Sequence, residues 1–285
     1  QSDGLKNQTY SWSHDQQFSQ KSRLTMNLNY ASSTTLQRQN TFNPYNALAT
    51  IDSRLNYQQQ IGAFQLGIGG SRKQYPGRQQ VDQDFPSLNL ASKPINFASW
   101  FTWTPSLQAS SRQSLHIDQT GSSLYAYRPN LNGIGVDSVK LDQSTRQTTA
   151  SFDTPIKIGG FTWTNAFRFS DALNDFPFTK TVFDPADSSK KQTITYDRDF
   201  LTTVDWTTGI NLPSFFQSTW KLTPSVSFEN VDPHAFMLRS EFSNGAFVRQ
   251  AKRPRWGLSA SPTFFGLFPG FGPVERFRHS ISPVI

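Results

Sequence analysis

One stretch constrains the fold more than any other. From Trp220 onward, apolar residues take every second position (Trp220, Leu222, Pro224, Val226, Phe228), and Thr219, Lys221, Thr223, Ser225, Ser227 and Glu229 fill the alternate set. A period of two is that of a β-strand with one apolar and one wet face. The pattern recurs at Leu24, Met26, Leu28 and Tyr30, at Ile51, Leu55 and Tyr57, and at Phe64, Leu66 and Ile68. It returns at Thr148 to Phe152, Phe161 to Phe169, Phe200 to Leu212 and Trp256 to Pro262. No segment sustains helical spacing over three turns.

The question is which solvent each face meets. The apolar fraction is 35%, or about 41% with glycine, whereas a soluble domain carries about 45–50% on that count. A two-layer core would be thinly supplied. Aromatics nevertheless reach 14%, with 25 Phe and 7 Trp, which argues against disorder. Few aliphatics, many aromatics and abundant Ser, Thr, Asn and Gln suit a transmembrane β-barrel, whose interior is polar and whose rims carry aromatic girdles. No run of 18 apolar residues exists to make a membrane helix.

The connections agree. Short ones follow residues 57, 90, 154 and 212, the last a turn at Pro213-Ser214, and long polar ones lie near 31, 71, 120, 172 and 230. The loop near 71 takes in Arg72, Lys73 and Pro76 to Arg78, and the one near 172 takes in Pro177, Pro185 and Lys190-Lys191. Short turns at one end and long loops at the other are the outer-membrane barrel plan. We therefore expect an all-β, antiparallel transmembrane barrel region of roughly a dozen strands over residues 1–285. The opening Gln1-Ser-Asp-Gly-Leu-Lys and the closing Ser280-Ile-Ser-Pro-Val-Ile285 read as the ends of a piece of a longer protein. One long strand is expected from Asn96 to about Asp118, and a turn from Phe264 to Gly272. Pro105, Pro224 and Pro262 lack an N–H and should sit at bulges or near the membrane boundary; Pro224 is the first place to look for a bulge.

Candidate chemistry is sparse. Cysteine is absent, which excludes disulfides and thiolate metal sites. His14, His116, His234 and His279 share no zinc-like spacing, and only His14-Asp15 pairs a histidine with a carboxylate. Gly67-Ile-Gly-Gly70 lacks a following helix or phosphate-binding lysine, so it reads as small interior or turn residues. No cofactor, metal or catalytic residue is expected. The net charge is +7, but the cations are dispersed and make no nucleic-acid patch. The densest cluster, Arg249, Lys252, Arg253 and Arg255, is either a set of contacts to lipid phosphates and acidic sugars or a solvated loop. Lys221, Thr223, Ser225 and Glu229 are expected to face the interior.

Three motifs carry a family resemblance. Phe85-Pro-Ser-Leu-Asn-Leu90 with Lys93-Pro-Ile95, then Phe101-Thr-Trp-Thr-Pro-Ser106, and finally Arg276-Phe-Arg-His-Ser-Ile-Ser-Pro-Val-Ile285, resemble the barrel of LptD, the lipopolysaccharide-assembly protein of the outer membrane. The resemblance implies a large outer-membrane barrel that receives lipopolysaccharide from a periplasmic bridge protein and inserts it in the outer leaflet. It also implies an LptE-like plug lipoprotein in the interior, contact with outer-membrane lipids and no bond chemistry. The family's periplasmic jelly-roll is not visible, and the cysteines of some members are missing. Two other readings stay open: a porin or TonB-dependent receptor, and a soluble carbohydrate-binding β-sandwich.

Overall fold

The computed structural model describes residues 8–32, 50–75, 79–117, 125–129, 136–140, 143–184, 187–215, 220–269 and 276–281. In chain order the strands begin with β1 (Thr9–Ser19), β2 (Ser22–Ala31), β3 (Ile51–Ile61), β4 (Phe64–Gln74), β5 (Val81–Ser92), β6 (Ile95–Ala98), β7 (Phe101–Trp103) and β8 (Ser106–Leu115). Next come β9 (Tyr125–Pro129), β10 (Val136–Lys140), β11 (Ser144–Asp153), β12 (Ile156–Ile158), β13 (Phe161–Asp175), β14 (Phe178–Asp184) and β15 (Asp187–Tyr196). The last are β16 (Asp199–Asn211), β17 (Trp220–Asn230), β18 (Met237–Ser240), β19 (Val248–Arg249), β20 (Lys252–Pro262), β21 (Phe264–Pro269) and β22 (Arg276–Ile281).

Eleven of these form one antiparallel wall, in the order β1-β2-β3-β4-β5-β8-β11-β13-β16-β17-β20. Register keeps the two faces separate across it. Leu24, Tyr57, Ile68, Leu88, Ala109, Ala150, Phe169 and Val204 stand side by side on eight successive strands. The neighbouring row reads Thr25, Asn56, Gly69, Ser87, Ser110, Thr149, Ser170 and Thr203 on the other face. A slip of one residue at any junction would exchange the faces.

The polar face is concave: its residues from β3, β4, β5, β8, β11 and β13 enclose a hollow of about 630 Å3. The wall is a half-barrel. On the convex face Phe152, Phe167 and Trp206 stack in series at 6.4 and 6.1 Å. Among the described residues nothing covers this face: Trp256 is 77% exposed and Leu258 62%. Among the described residues, Ala31 is the only buried hydrophobic. A soluble sandwich needs an interior of close-packed apolar side chains, so that reading does not hold.

Several expected boundaries shift. A strand unmarked in the sequence reading, β1, opens the wall; its Tyr10, Ser11, Trp12, Ser13 and His14 do alternate. Arg72 and Lys73 belong to β4, not to a loop. The long strand expected from Asn96 breaks at a turn through Ser99-Trp100 and again at Pro105. Two supposed loops contain hairpins, β9–β10 and β14–β15. Phe264 to Pro269 is a strand, β21, paired with β22 rather than a turn. The Pro213-Ser214 turn is part of a longer connection between Asn211 and Trp220. The expected loop at 31–46 lies mostly outside the described residues. Long and short connections still alternate end to end.

The prolines occupy places where a missing donor does little harm. Pro105 lies between β7 and β8, and its carbonyl accepts the Ser92 N–H at 3.2 Å. Beside it, Thr104 N–H donates to the Pro155 carbonyl at 3.2 Å, so the two prolines form a crease across adjacent strands. Pro262 is the last residue of β20. Pro224 shows no bulge: the β17–β20 register runs through it unbroken. Its carbonyl accepts from Leu212 N–H at 2.9 Å, just past the end of β16, so its nitrogen faces a strand that has stopped.

The bulge in this part of the wall is elsewhere. In β5, Phe85 and Pro86 together oppose Gly70 of β4, and this extra residue restores the alternation between Asp82/Asp84 and Ser87/Asn89. A Cβ on Gly70 would lie 2.6 Å from the Asp84 carbonyl oxygen and 2.6 Å from a Phe85 ring carbon. Gly70→Val must push that strand away, an overpacking that costs about 1–3 kcal/mol. The expected outcome is a lower urea midpoint for unfolding from detergent; an unchanged midpoint would show that β4 and β5 do not approach so closely.

Candidate functional site

Alternation along β17 and β20 sets the site. Glu229 stands opposite Arg253, Ser227 opposite Arg255, Ser225 opposite Gly257, Thr223 opposite Ser259 and Lys221 opposite Ser261, all on the polar face. All four residues expected to face the interior therefore share one side. Arg253 donates from Nε to Glu229 Oε1 at 2.9 Å, and Arg255 Nη1 lies 3.1 Å from Oε2. One carboxylate thus holds two guanidinium groups across the strand pair. Thr223 Oγ1 lies 3.2 Å from Ser214 Oγ.

The same device recurs around the concave face. Arg23 pairs with Asp15 at 2.6 Å, Arg168 with Asp153 at 2.7 Å and Arg112 with Asp84 at 3.6 Å. Between these pairs the surface is hydroxyl and amide, including Ser110 and Thr149 with oxygens 3.1 Å apart. Such a surface presents many donors and acceptors with its fixed charges locally balanced. It can meet a hydroxylated, multiply charged ligand without trapping it at one strong ion site. His14 and Asp15 fall on opposite faces; His14 Nε2 lies 3.1 Å from Gln16 Oε1. Among the described residues no group of three or more His, Asp or Glu side chains could hold a metal.

The expected cation cluster divides. Arg253 and Arg255 face inward, as above. Lys252, on the alternate side of β20, is drawn into a fork in the wall. The lower part of β16 pairs with β17 through Thr208 to Asn211, while its upper part pairs with β18 through Leu201 to Val204. Between these segments β16 has no strand partner on that side, and a side chain takes the ladder's place. Asp205 Oδ1 accepts the Trp206 N–H at 3.0 Å, the Phe236 N–H at 3.2 Å and the Asn230 side-chain N–H at 3.0 Å. The Lys252 ammonium lies 3.5 Å away with its side chain only 10% exposed, and it donates to Asn230 Oδ1 at 2.6 Å. Arg249 sits on the separate β19, exposed, 5.0 Å from the Phe236 ring.

Sequence reading missed Asp205 and Asn230. Asp205 looks like any polar residue between Val204 and Trp206, and its partner Phe236 lies 31 positions further along.

The geometry defines a class: a single-layer barrel wall with a lipid-facing aromatic surface and a charge-balanced polar interior. Comparison with known families places it within that class. The family model described as LptD protein matches residues 2–285, and the chain belongs to that family. It is thus an outer-membrane protein related to lipopolysaccharide transport. No curated protein and no solved structure matches it.

Removing Asp205 leaves the half-buried Lys252 ammonium and two backbone N–H groups without their acceptor, and each such loss costs about 1–3 kcal/mol. Asp205→Ala is expected to lower stability by about 3 kcal/mol, and adding Lys252→Met should recover part of the loss. Additive losses in a urea-unfolding double-mutant cycle would show that the two side chains do not interact.

Proposed function

We propose that the chain forms wall of a barrel that assembles lipopolysaccharide into the outer leaflet, shielding the sugars against the concave face while the acyl chains leave toward lipid. No bond is made or broken. The observation that carries this reading is the polar row from Thr25 to Thr203, unbroken by an apolar side chain across eight strands. Saccharide hydroxyls exchange water for such a surface at little loss, because each donor finds an acceptor. The paired arginines, with Lys221, Thr223, Ser225 and Glu229, offer exchangeable partners to sugar-borne phosphates and carboxylates. A wall of this kind belongs to a larger closed barrel, since an open sheet edge is not tolerated in hydrocarbon. The partners are lipopolysaccharide, a plug lipoprotein of the LptE kind within the interior, and a periplasmic bridge protein that delivers the lipid.

A photoreactive amino acid placed at Ser110, Thr149 or Ser170 in the full-length protein tests this in living cells. Newly made, pulse-labelled lipopolysaccharide is expected to form adducts there before it reaches the surface, and depletion of the protein should lower surface lipopolysaccharide. A barrel that works as a porin gives no adduct and leaves surface lipopolysaccharide unchanged.

A further inference from the structure

Above the fork, a polar pair interrupts the convex face. Asp171 and Thr202 lie between the apolar pairs Phe169–Val204 and Leu173–Phe200. Asp171 is already occupied, taking Arg146 at 3.0 Å and the Thr202 hydroxyl at 2.7 Å. The hairpin β18–β19 attaches beside this polar pair. Arg239 stands opposite Thr202, and Arg249, opposite Met237, stands level with Val204 in the apolar row next to it. The two arginines are diagonal neighbours on one face, a spacing of about 7–8 Å. Both are exposed, and among the described residues neither pairs with a carboxylate. Aromatic rings hold them instead: Arg239 lies 5.3 Å from the Phe200 ring and 5.9 Å from Phe247, and Arg249 lies 5.0 Å from Phe236. A guanidinium resting on a ring keeps its N–H edge free for a two-pronged contact with a phosphate.

A hollow of about 620 Å3 opens directly beside Arg249, lined by Trp206, Phe228, Phe236 and Lys252. Its apolar walls lie on the lipid side of the fork. Among the described residues the Trp206 indole N–H is buried without a hydrogen-bond partner. Two exposed arginines beside an apolar cleft match two parts of one molecule, phosphate and acyl chain.

We propose that the β18–β19 hairpin and the fork beneath it form an outward-facing site for a phosphorylated acyl glycolipid of the outer leaflet. Arg239 and Arg249 bind its phosphates, and one acyl chain lies in the cleft along Trp206 and Phe228. This site lies outside the barrel, on the opposite face from the polar row, and it uses the membrane orientation of the preceding reading but not the transport route. It would anchor the wall to the lipid that surrounds it.

The test is binding of bisphosphorylated lipid A, of the same lipid stripped of both phosphates, and of inorganic phosphate to the purified full-length protein in detergent. Wild-type protein is expected to prefer the phosphorylated lipid at least tenfold. The double variant Arg239→Gln/Arg249→Gln should lose that preference with its unfolding midpoint unchanged, and Trp206→Phe should weaken both lipids. Lys157→Gln, on the short strand β12 at the other end of β13, should leave lipid binding at wild-type strength. Unchanged preference in the double variant would overturn the proposal, as would displacement of the lipid by millimolar inorganic phosphate, which would mark a free-anion site. The adducts at Ser110, Thr149 and Ser170 do not depend on these residues, so failure here leaves the transport reading standing, and the reverse also holds.

Discussion

A strand in hydrocarbon cannot leave a backbone N–H or carbonyl unpaired, because no water is present to take it. That single requirement accounts for most of what is irregular in this wall. Where two strands run in register the ladder meets it. Where they part, side chains take over. At the top of β2 and β3, Ser53 Oγ both accepts the Asn29 N–H and donates to the Asn29 carbonyl, at 2.9 and 2.6 Å. Two residues on, the Gln74 amide does the same for Ala31, accepting its N–H at 3.2 Å and donating to its carbonyl at 3.0 Å. At the fork, Asp205 serves two backbone amides, one in β16 and one just before β18. In each case a polar side chain stands in for a missing strand.

The second constraint is that the two faces meet different solvents, so each must stay uniform over the whole width of the sheet. The β5 bulge is an instance. Without Phe85-Pro86, Asp82 and Asp84 would share a face with Leu88 and Leu90. The indole groups near the short-turn end show the same economy. Trp103 donates to Thr154 Oγ1 at 2.6 Å and Trp163 to Thr208 Oγ1 at 2.9 Å, so the rings can lie on the apolar surface with their N–H groups satisfied. On the inner face, pairing arginine with aspartate or glutamate on the adjacent strand keeps charges available without a net field from any one pair.

The fold was legible because a period of two is local: Trp220 to Phe228 displays it within nine residues, and so does Phe161 to Phe169. Alternation puts Lys221, Thr223, Ser225 and Glu229 on one face of β17. What stayed hidden depends on distance along the chain or on a single break. The clustered Arg249, Lys252, Arg253 and Arg255 look alike in sequence. Gln250 and Ala251 separate β19 from β20, and alternation then sends Lys252 one way and the two arginines the other. Lys190-Lys191 and Pro185 suggested a loop, yet the chain around them pairs as β14 and β15. Asp205 has no local signature at all, since its role arises only where β17 and β18 diverge.

The central claim is that one face of the sheet meets lipid and the other a watery interior. It can be tested with single cysteines at positions 221 to 228, a stretch that carries none of its own, in the full-length protein in bilayers with any cysteine elsewhere replaced. The measurement is the rate of reaction with a charged, water-soluble maleimide, position by position. The account predicts a two-residue alternation: fast labelling at Lys221, Thr223, Ser225 and Ser227, and little at Leu222, Val226 and Phe228. Uniform labelling along the strand, or fast labelling of the apolar set, would contradict it.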